Sequence, residues 1–303
     1  MNSSQSSDAP LEEKIAIVGL GLIGGSFAAA LKQNGFAGHI SALVRTEAAA
    51  RKAMAIGYVD HASTDAQSVV SSADLVLLAV PMLAMREQLE RVKPFLMPSC
   101  VVTDAGSVKG PFVEDARLVL TDIARVVPGH PIAGREKSGI DSVDAALYQG
   151  KRVLLTPLDE TLPEAVEQVT RLWQQCGAMV ESLAVDHHDR VLASTSHLPH
   201  ALAFALVDTL TSGQRHEEIF RYAAGGFGDF TRIASGDAVM WRDIFLTNKT
   251  AVCDALDAFN LHLAELRDAI ESEDGDKLET VFRRAKQSRD EHFEQTKQPT
   301  KQQ

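Results

Sequence analysis

The tightest constraint on this chain is a glycine spacing in a particular place. Ile15-Ala16-Ile17-Val18-Gly19 is apolar on both faces, as a parallel strand between two helix layers must be. Leu22 to Asn34 then reads as a helix closed by Gly35. Between them stands Gly19-Leu20-Gly21-Leu22-Ile23-Gly24. A GxGxxG pattern alone is weak, and its context gives it force. At a strand-to-helix junction the glycines permit a tight turn and let backbone approach a pyrophosphate, whose charge meets the free N–H groups of the helix start. The reading is a dinucleotide site; the alternative is a glycine-rich structural turn.

The alternation continues. His39 to Arg45, Leu75 to Val80, Val101 to Asp104, Val126-Val127 and Val153 to Thr156 read as strands, and Thr46 as the N-cap of a helix Glu47 to Ile56 closed by Gly57. Strands alternating with helices predict a doubly wound α/β sheet, that is, a Rossmann-like domain. After Asp186 no convincing strand remains. Leu256, Phe259, Leu263 and Leu266 mark one apolar face of a long helix, Asn248 to Glu271. The predicted organisation is a tail at 1–10, a dinucleotide-binding domain at 11–185, an all-α domain at 186–295 and a tail at 296–303.

Composition narrows the partners. With 30 Lys plus Arg against 41 Asp plus Glu, the net charge is −11, which disfavours nucleic acid and membrane surfaces. Three separated cysteines make neither a disulfide framework nor a CxxC metal site. No stretch is long and apolar enough for a bilayer or a signal peptide. The expectation is a cytoplasmic protein with a small-molecule substrate.

The end of the second predicted strand bears on which dinucleotide is bound. Leu43-Val44-Arg45-Thr46 offers a guanidinium and a hydroxyl where an NAD site usually has a carboxylate. Arg45 suits a 2′-phosphate, which favours NADP, while nearby Glu47 keeps NAD open. Three further segments carry polar groups in apolar surroundings. Thr103 to Gly110 follows a strand and holds Asp104 and Ser107. Pro128 to Gly134 fixes His130 between glycine and proline, an unlikely place for a helix or a sheet interior. Ser196-His197-Leu198-Pro199-His200 places two histidines on one helix face if the helix survives Pro199. With no HExxH and no thiolate cluster, metal binding is not expected. Downstream, Arg232 is either an ion-pair partner or a carboxylate receptor, and Trp241 follows it.

The set GLGLIGGS, TDAGSVKG, GHPIAGREKSG, SHLPH and GFGDFTRIASGDAVMW resembles the prephenate/arogenate (cyclohexadienyl) dehydrogenase family of tyrosine biosynthesis, in order from about Lys14 to the C-terminal helices. The resemblance implies oxidative decarboxylation of prephenate or arogenate by hydride transfer to NAD(P)+, giving 4-hydroxyphenylpyruvate or tyrosine. It implies that His130 accepts the proton of the C4 hydroxyl, that Ser107 orients the histidine and hydroxyl, and that Arg232 receives the ring carboxylate. Ser196, His197, His200 and Trp241 match pocket positions. Cofactor contacts are implied for Gly19, Gly21, Leu22, Ile23, Gly24, Arg45, Thr46, Val80, Pro81, Asp104 and Ser107. The helical part is expected to be a homodimerisation domain like that of 6-phosphogluconate dehydrogenase.

Arg135-Glu136 in the histidine loop leaves the prephenate-versus-arogenate preference open, since a cation suits a pyruvyl carboxylate and an acid suits an ammonium. No regulatory domain or fused chorismate mutase is expected, so feedback by tyrosine would act at the active site. Two rival readings compete with this one. One is a β-hydroxyacid dehydrogenase or imine reductase; the hydroxyacid class carries a catalytic lysine where this chain has Ser196 to His200. A non-catalytic NADP(H) sensor would have no reason to keep Ser107, His130 and Arg232 together.

Overall fold

The computed structural model describes residues 13–135, 139–212, 218 and 221–297. The expected tail at 1–10 and Glu136 of the histidine loop lie outside them. Beginning at Lys14 the chain alternates as foreseen: β1 (Lys14–Val18), α1 (Leu22–Gln33), β2 (His39–Leu43), α2 (Glu47–Ile56), β3 (His61–Ser63), α3 (Ala66–Val70), β4 (Leu75–Leu78), α4 (Met85–Val92), β5 (Val101–Asp104), α5 (Gly110–Val119) and β6 (Val126–Val127). The six strands form one parallel sheet in the order β3-β2-β1-β4-β5-β6. The order reverses between β1 and β4, so the connections leave their carboxyl ends in opposite directions and open a crevice there.

Alternation along β1 shows why both faces had to be apolar. Ile15 and Ile17 pack with Phe27 and Leu31 of α1 and with Trp173. Ala16 and Val18 pack with Met85 and Leu89 of α4 and Phe112 of α5. The sheet is thus buried between two helix layers, which is the Rossmann-like arrangement. Thr46 caps α2 by accepting a hydrogen bond from Ala49 N at 3.1 Å, and Gly57 closes it at φ +82°.

Strands read from composition run long. Those expected to reach Gly19, Arg45 and Val80 stop at Val18, Leu43 and Leu78, although Gly19, Val44 and Ala79 each still donate a backbone N–H to the neighbouring strand. Three short strands carry no clear signal in the sequence: β3, β7 (Gly129–Pro131) and β9 (Met179–Ser182). The expectation of a loop at His130 is corrected, while its place outside a sheet interior stands. It lies on β7, antiparallel to β8 (Arg152–Leu155), which pairs in parallel with β9 after α6 (Pro163–Gln175). Since β7 pairs on one side only, Pro131 is tolerated on that edge.

Beyond Ser182 the described residues contain no strand. They form α7 (Val185–Leu192), a π-turn (Ala193–His197), α8 (Leu198–Thr211), α9 (Gly225–Thr231), a 3₁₀ turn (Arg232–Ser235), α10 (Ala238–Thr247), α11 (Lys249–Glu271) and α12 (Gly275–Lys297). The helix does survive Pro199. The wider π-turn precedes it, and Pro199 falls in the first turn of α8, where a missing N–H costs least. The chain divides into two compact units after Val252. The second holds most of α11 and all of α12, and there Leu256, Phe259 and Leu266 are half-buried while Leu263 is exposed. Because α12 runs to Lys297, the start of the expected 296–303 tail is helical, and the rest lies outside the described residues. Among the described residues no helix is long and apolar enough to cross a membrane.

Candidate active site

At the crevice the turn after β1 is built for close approach. Gly19 has φ +93°, and a Cβ there would lie 2.5 Å from Ala79 O and 2.8 Å from Val80 Cγ1. A Cβ at Gly24 would lie 2.2 Å from Gly19 O, so that glycine is required by the fold itself. Gly21 differs: a Cβ there meets nothing within 4 Å, leaving open space at the N-cap of α1. No side chain caps that helix, and no acid stands in its first turn. Its positive end is therefore free for an anion, as a pyrophosphate requires. Leu22 is buried beneath the turn, and Ile23 O accepts from Tyr148 Oη at 2.7 Å.

At the end of β2, Arg45 is exposed and makes no ion pair among the described residues, and the Thr46 hydroxyl accepts from Ala49 N and keeps its own O–H to donate. Glu47 accepts a hydrogen bond from Thr64 Oγ1 at 2.5 Å. Val80 is half-buried beside the glycine turn and Pro81 is exposed.

Asp104 behaves differently from the other expected cofactor contacts. Its carboxylate is fully buried, with Oδ1 accepting from Gly129 N at 3.1 Å and Oδ2 from Gly106 N at 2.7 Å and from Lys109 Nζ. Lys109 Nζ also donates to Gly129 O at 2.6 Å. Burial pushes the Asp104 carboxyl up and the Lys109 ammonium down, and each charge holds the other against that pressure. The side chain of Asp104 has no surface left for a ligand; it ties the Ser107 loop to the strand carrying His130. Ser107 itself is half-buried on that loop, with no side-chain hydrogen bond among the described residues.

His130 is half-buried, and its Nδ1 shares a 2.9 Å hydrogen bond with His188 Nε2. Burial of the ring depresses its pKa well below the ordinary imidazole value, and the neighbouring His188, Lys109 and His197 add to this. His188 is fully buried, and its Nδ1–H donates to Asp189 Oδ1 at 2.7 Å. Asp189 also accepts from Lys109 N and Gly110 N, each at 2.8 Å. Burial alone would raise the Asp189 carboxyl, but the hydrogen bonds from His188 and those two amides outweigh it and hold it below the usual range.

The helical elements complete the arrangement. Asn248 Nδ2 donates to Asp189 O at 2.9 Å and to His197 Nδ1 at 3.1 Å, so the neutral His197 ring carries its proton on Nε2. Burial lowers His197 to about 4, with Asp189 opposing and His188 and His200 assisting. His200 stacks on Trp241 with centroids 3.7 Å apart, and its Nδ1–H donates to Ser196 O at 2.8 Å. Burial lowers His200 too, and the Arg232 guanidinium nearby contributes in the same direction. Ser196 contributes its carbonyl rather than its hydroxyl to this contact. Arg135 is paired with Asp144.

The structure thus links His130, His197, His200 and Trp241 through a chain of contacts whose middle members, His188, Asp189 and Asn248, the sequence did not single out, with the exposed Arg232 near His200. The run His187-His188-Asp189 is the one local signal that could have found them. Among the described residues, no group of three or more His, Cys, Asp and Glu is placed to hold a metal.

Residues 27–182 match the family model of the prephenate dehydrogenase nucleotide-binding domain, and residues 184–284 that of the prephenate dehydrogenase dimerization domain. The chain belongs to the prephenate dehydrogenase family. It is 38% identical to the cyclohexadienyl dehydrogenase of Zymomonas mobilis over 91% of this chain and 94% of that one. It is 36% identical to the prephenate dehydrogenase of Bacillus subtilis over 92% of this chain and 76% of the relative. A crystal structure of Aquifex aeolicus prephenate dehydrogenase in complex with hydroxyphenyl propionate and NAD+ superposes with a TM-score of 0.87 at 40% identity, covering 94% of this chain and 99% of that one. Synechocystis arogenate dehydrogenase superposes at 0.79 with 27% identity, over 92% and 99% of the two chains. As a prephenate dehydrogenase family member the protein is an oxidoreductase of tyrosine biosynthesis with a pyridine-nucleotide cofactor.

Proposed function

We propose that the chain oxidatively decarboxylates prephenate and/or arogenate, with NADP+ favoured as hydride acceptor and NAD+ accepted. The observation that carries this reading is the half-buried His130, its pKa depressed, in one connected cluster with His197, His200 and Trp241, with Arg232 near His200. Both substrates are cyclohexadienols, so the ring chemistry is shared and only the side chain differs.

The α1 N-terminus with open Gly21 fits a dinucleotide pyrophosphate, and Gly19, Ile23, Val80 and Pro81 border the same crevice. Bound there, the nicotinamide supplies the hydride acceptor. Arg45, unpaired among the described residues, suits the 2′-phosphate of NADP, and Glu47, the acid that would favour NAD, is held by Thr64. NAD+ is bound in the Aquifex aeolicus relative, which supports keeping it as a second acceptor.

A neutral His130 accepts the C4 hydroxyl proton as hydride leaves that carbon. Its depressed pKa keeps it unprotonated, and thus able to accept, at neutral pH. The new carbonyl is conjugated to the carbon bearing the carboxylate, so loss of CO2 delivers its bonding electrons into the ring. The ring becomes aromatic, and the oxygen takes back a proton from His130. Arg232 holds the ring carboxylate by its fork of donors. Ser107 orients the reacting hydroxyl, and the His197, His200 and Trp241 walls exclude water.

The helical part pairs two copies into a homodimer, a reading supported by the dimerization-domain match and by exposed Leu261, Leu263, Ile270 and Phe282 on α11 and α12. A cytoplasmic location accompanies this assignment. The test is reduced-cofactor absorbance with prephenate or arogenate, each offered with NAD+ and NADP+. Turnover with at least one of the two substrates, faster with NADP+, is expected. Absence of turnover in all four pairings, with NADP(H) still bound, would replace the dehydrogenase with the sensor.

A further inference from the structure

We propose that Asp189 and His188 are positioning residues that set the tautomer of His130, so that its Nε2 presents a lone pair to the reacting hydroxyl. The proposal rests on the reading of His130 as the proton acceptor.

The argument runs along one line of hydrogen bonds whose direction is fixed at one end. Asp189 is held ionised by three donors and can only accept, so the proton of the His188–Asp189 bond belongs to His188 Nδ1. A neutral imidazole carries one N–H, which leaves His188 Nε2 a lone pair. With His188 in that neutral form, the 2.9 Å contact to His130 Nδ1 has His130 Nδ1–H donating. His130 Nε2 is consequently bare and able to take a proton. Without Asp189 the line can reverse: His188 Nε2–H would donate to His130 Nδ1, and His130 Nε2 would carry a hydrogen where it must accept one.

Packing keeps the line from rotating. His188 has no accessible surface, Asp189 is fastened to the start of α5 by two amides, and Asn248 holds the Asp189 carbonyl. The same arrangement receives charge. When the hydroxyl proton reaches His130 Nε2, the Nδ1–H of the resulting imidazolium points at His188, whose far side faces the Asp189 carboxylate. When the aromatic product's oxygen takes the proton back, His130 returns to its starting form, and no proton is gained or lost overall.

Three substitutions separate this from a purely structural role. Asp189→Asn retains shape but lets the amide donate to His188 Nδ1, and kcat should fall by roughly 10²- to 10⁴-fold with KM changed by less than about threefold, as for a histidine held in the wrong tautomer. His188→Leu should lose about 100-fold or more in kcat. His188→Gln should recover to within about tenfold of the parent, because its amide can donate to Asp189 while its carbonyl accepts from His130 Nδ1–H. The direct readout is the ¹⁵N spectrum of histidine-labelled protein: His130 Nε2 unprotonated in the parent and in His188→Gln, protonated in Asp189→Asn. Equal losses in the Gln and Leu variants, a change confined to KM, or an unaltered His130 spectrum in Asp189→Asn would overturn the proposal. Absence of turnover in the parent enzyme would instead defeat the functional reading, and the ¹⁵N spectra would still decide the tautomer.

Discussion

Replacing Lys109 with methionine tests what holds the Ser107 loop against the His130 strand. Lys109 and Asp104 are both fully buried, and the ammonium donates to the Asp104 carboxylate and to Gly129 O. Lys109→Met preserves length and removes one charge of the pair. The carboxylate left behind has no water to solvate it, and such orphaned buried charges cost about 3–5 kcal/mol. Two backbone N–H donors, Gly106 and Gly129, remain on Asp104 and set the loss toward the lower end of that range.

The loss should depend on pH. In the variant the folded Asp104 carboxyl titrates above its unfolded value of about 3.9, because burial raises it and the opposing ammonium is gone. Stability is then fullest below that unfolded value and falls as pH rises through the folded one, so the deficit against the parent should be larger at pH 8 than at pH 5. Adding Asp104→Asn should restore at least about 1 kcal/mol, since the uncompensated charge disappears. Urea unfolding followed by tryptophan fluorescence, at fixed protein concentration, measures all three. A Lys109→Met loss below about 1 kcal/mol, or one equal at the two pH values, would refute the account of the pair as a charge-dependent fastening.

Other outcomes follow from the same geometry. Gly21→Ala should fold with near-parent stability yet raise the cofactor KM about tenfold or more, whereas Gly24→Ala, with its Cβ 2.2 Å from Gly19 O, should destabilise the protein measurably in thermal unfolding. His130→Asn should depress kcat by roughly 10²- to 10⁴-fold with little change in KM, and Arg232→Gln should chiefly raise KM; steady-state kinetics with equal, small effects from both would contradict the assigned roles. The acid limb of the kcat profile should lie below the ordinary imidazole range near 6.5, because burial lowers His130 and it stays competent until protonated; a limb above that value would point to another base.

What the sequence determined on its own is what near neighbours enforce. The GxGxxG turn, the doubly apolar strands, the Thr46 cap and the Gly57 stop act through bonds within a few residues, and the structure places each close to where its pattern implies. His130 was legible because glycine and proline flank it, although the same proline disguised the edge strand it occupies. The wiring of the site was not legible. His130 meets His188 across 58 positions, Asn248 reaches Asp189 across 59, and Lys109 meets Gly129 O across 20. Asp104 shows the limit most plainly: a carboxylate at a strand's carboxyl end looks ready for a ligand, and only packing reveals that it is sealed against Lys109. No period or spacing encodes such contacts, because they arise when separately formed sheets and helices dock and exclude water. Docking alone decides which charges are paired and which histidines lie against one another away from water.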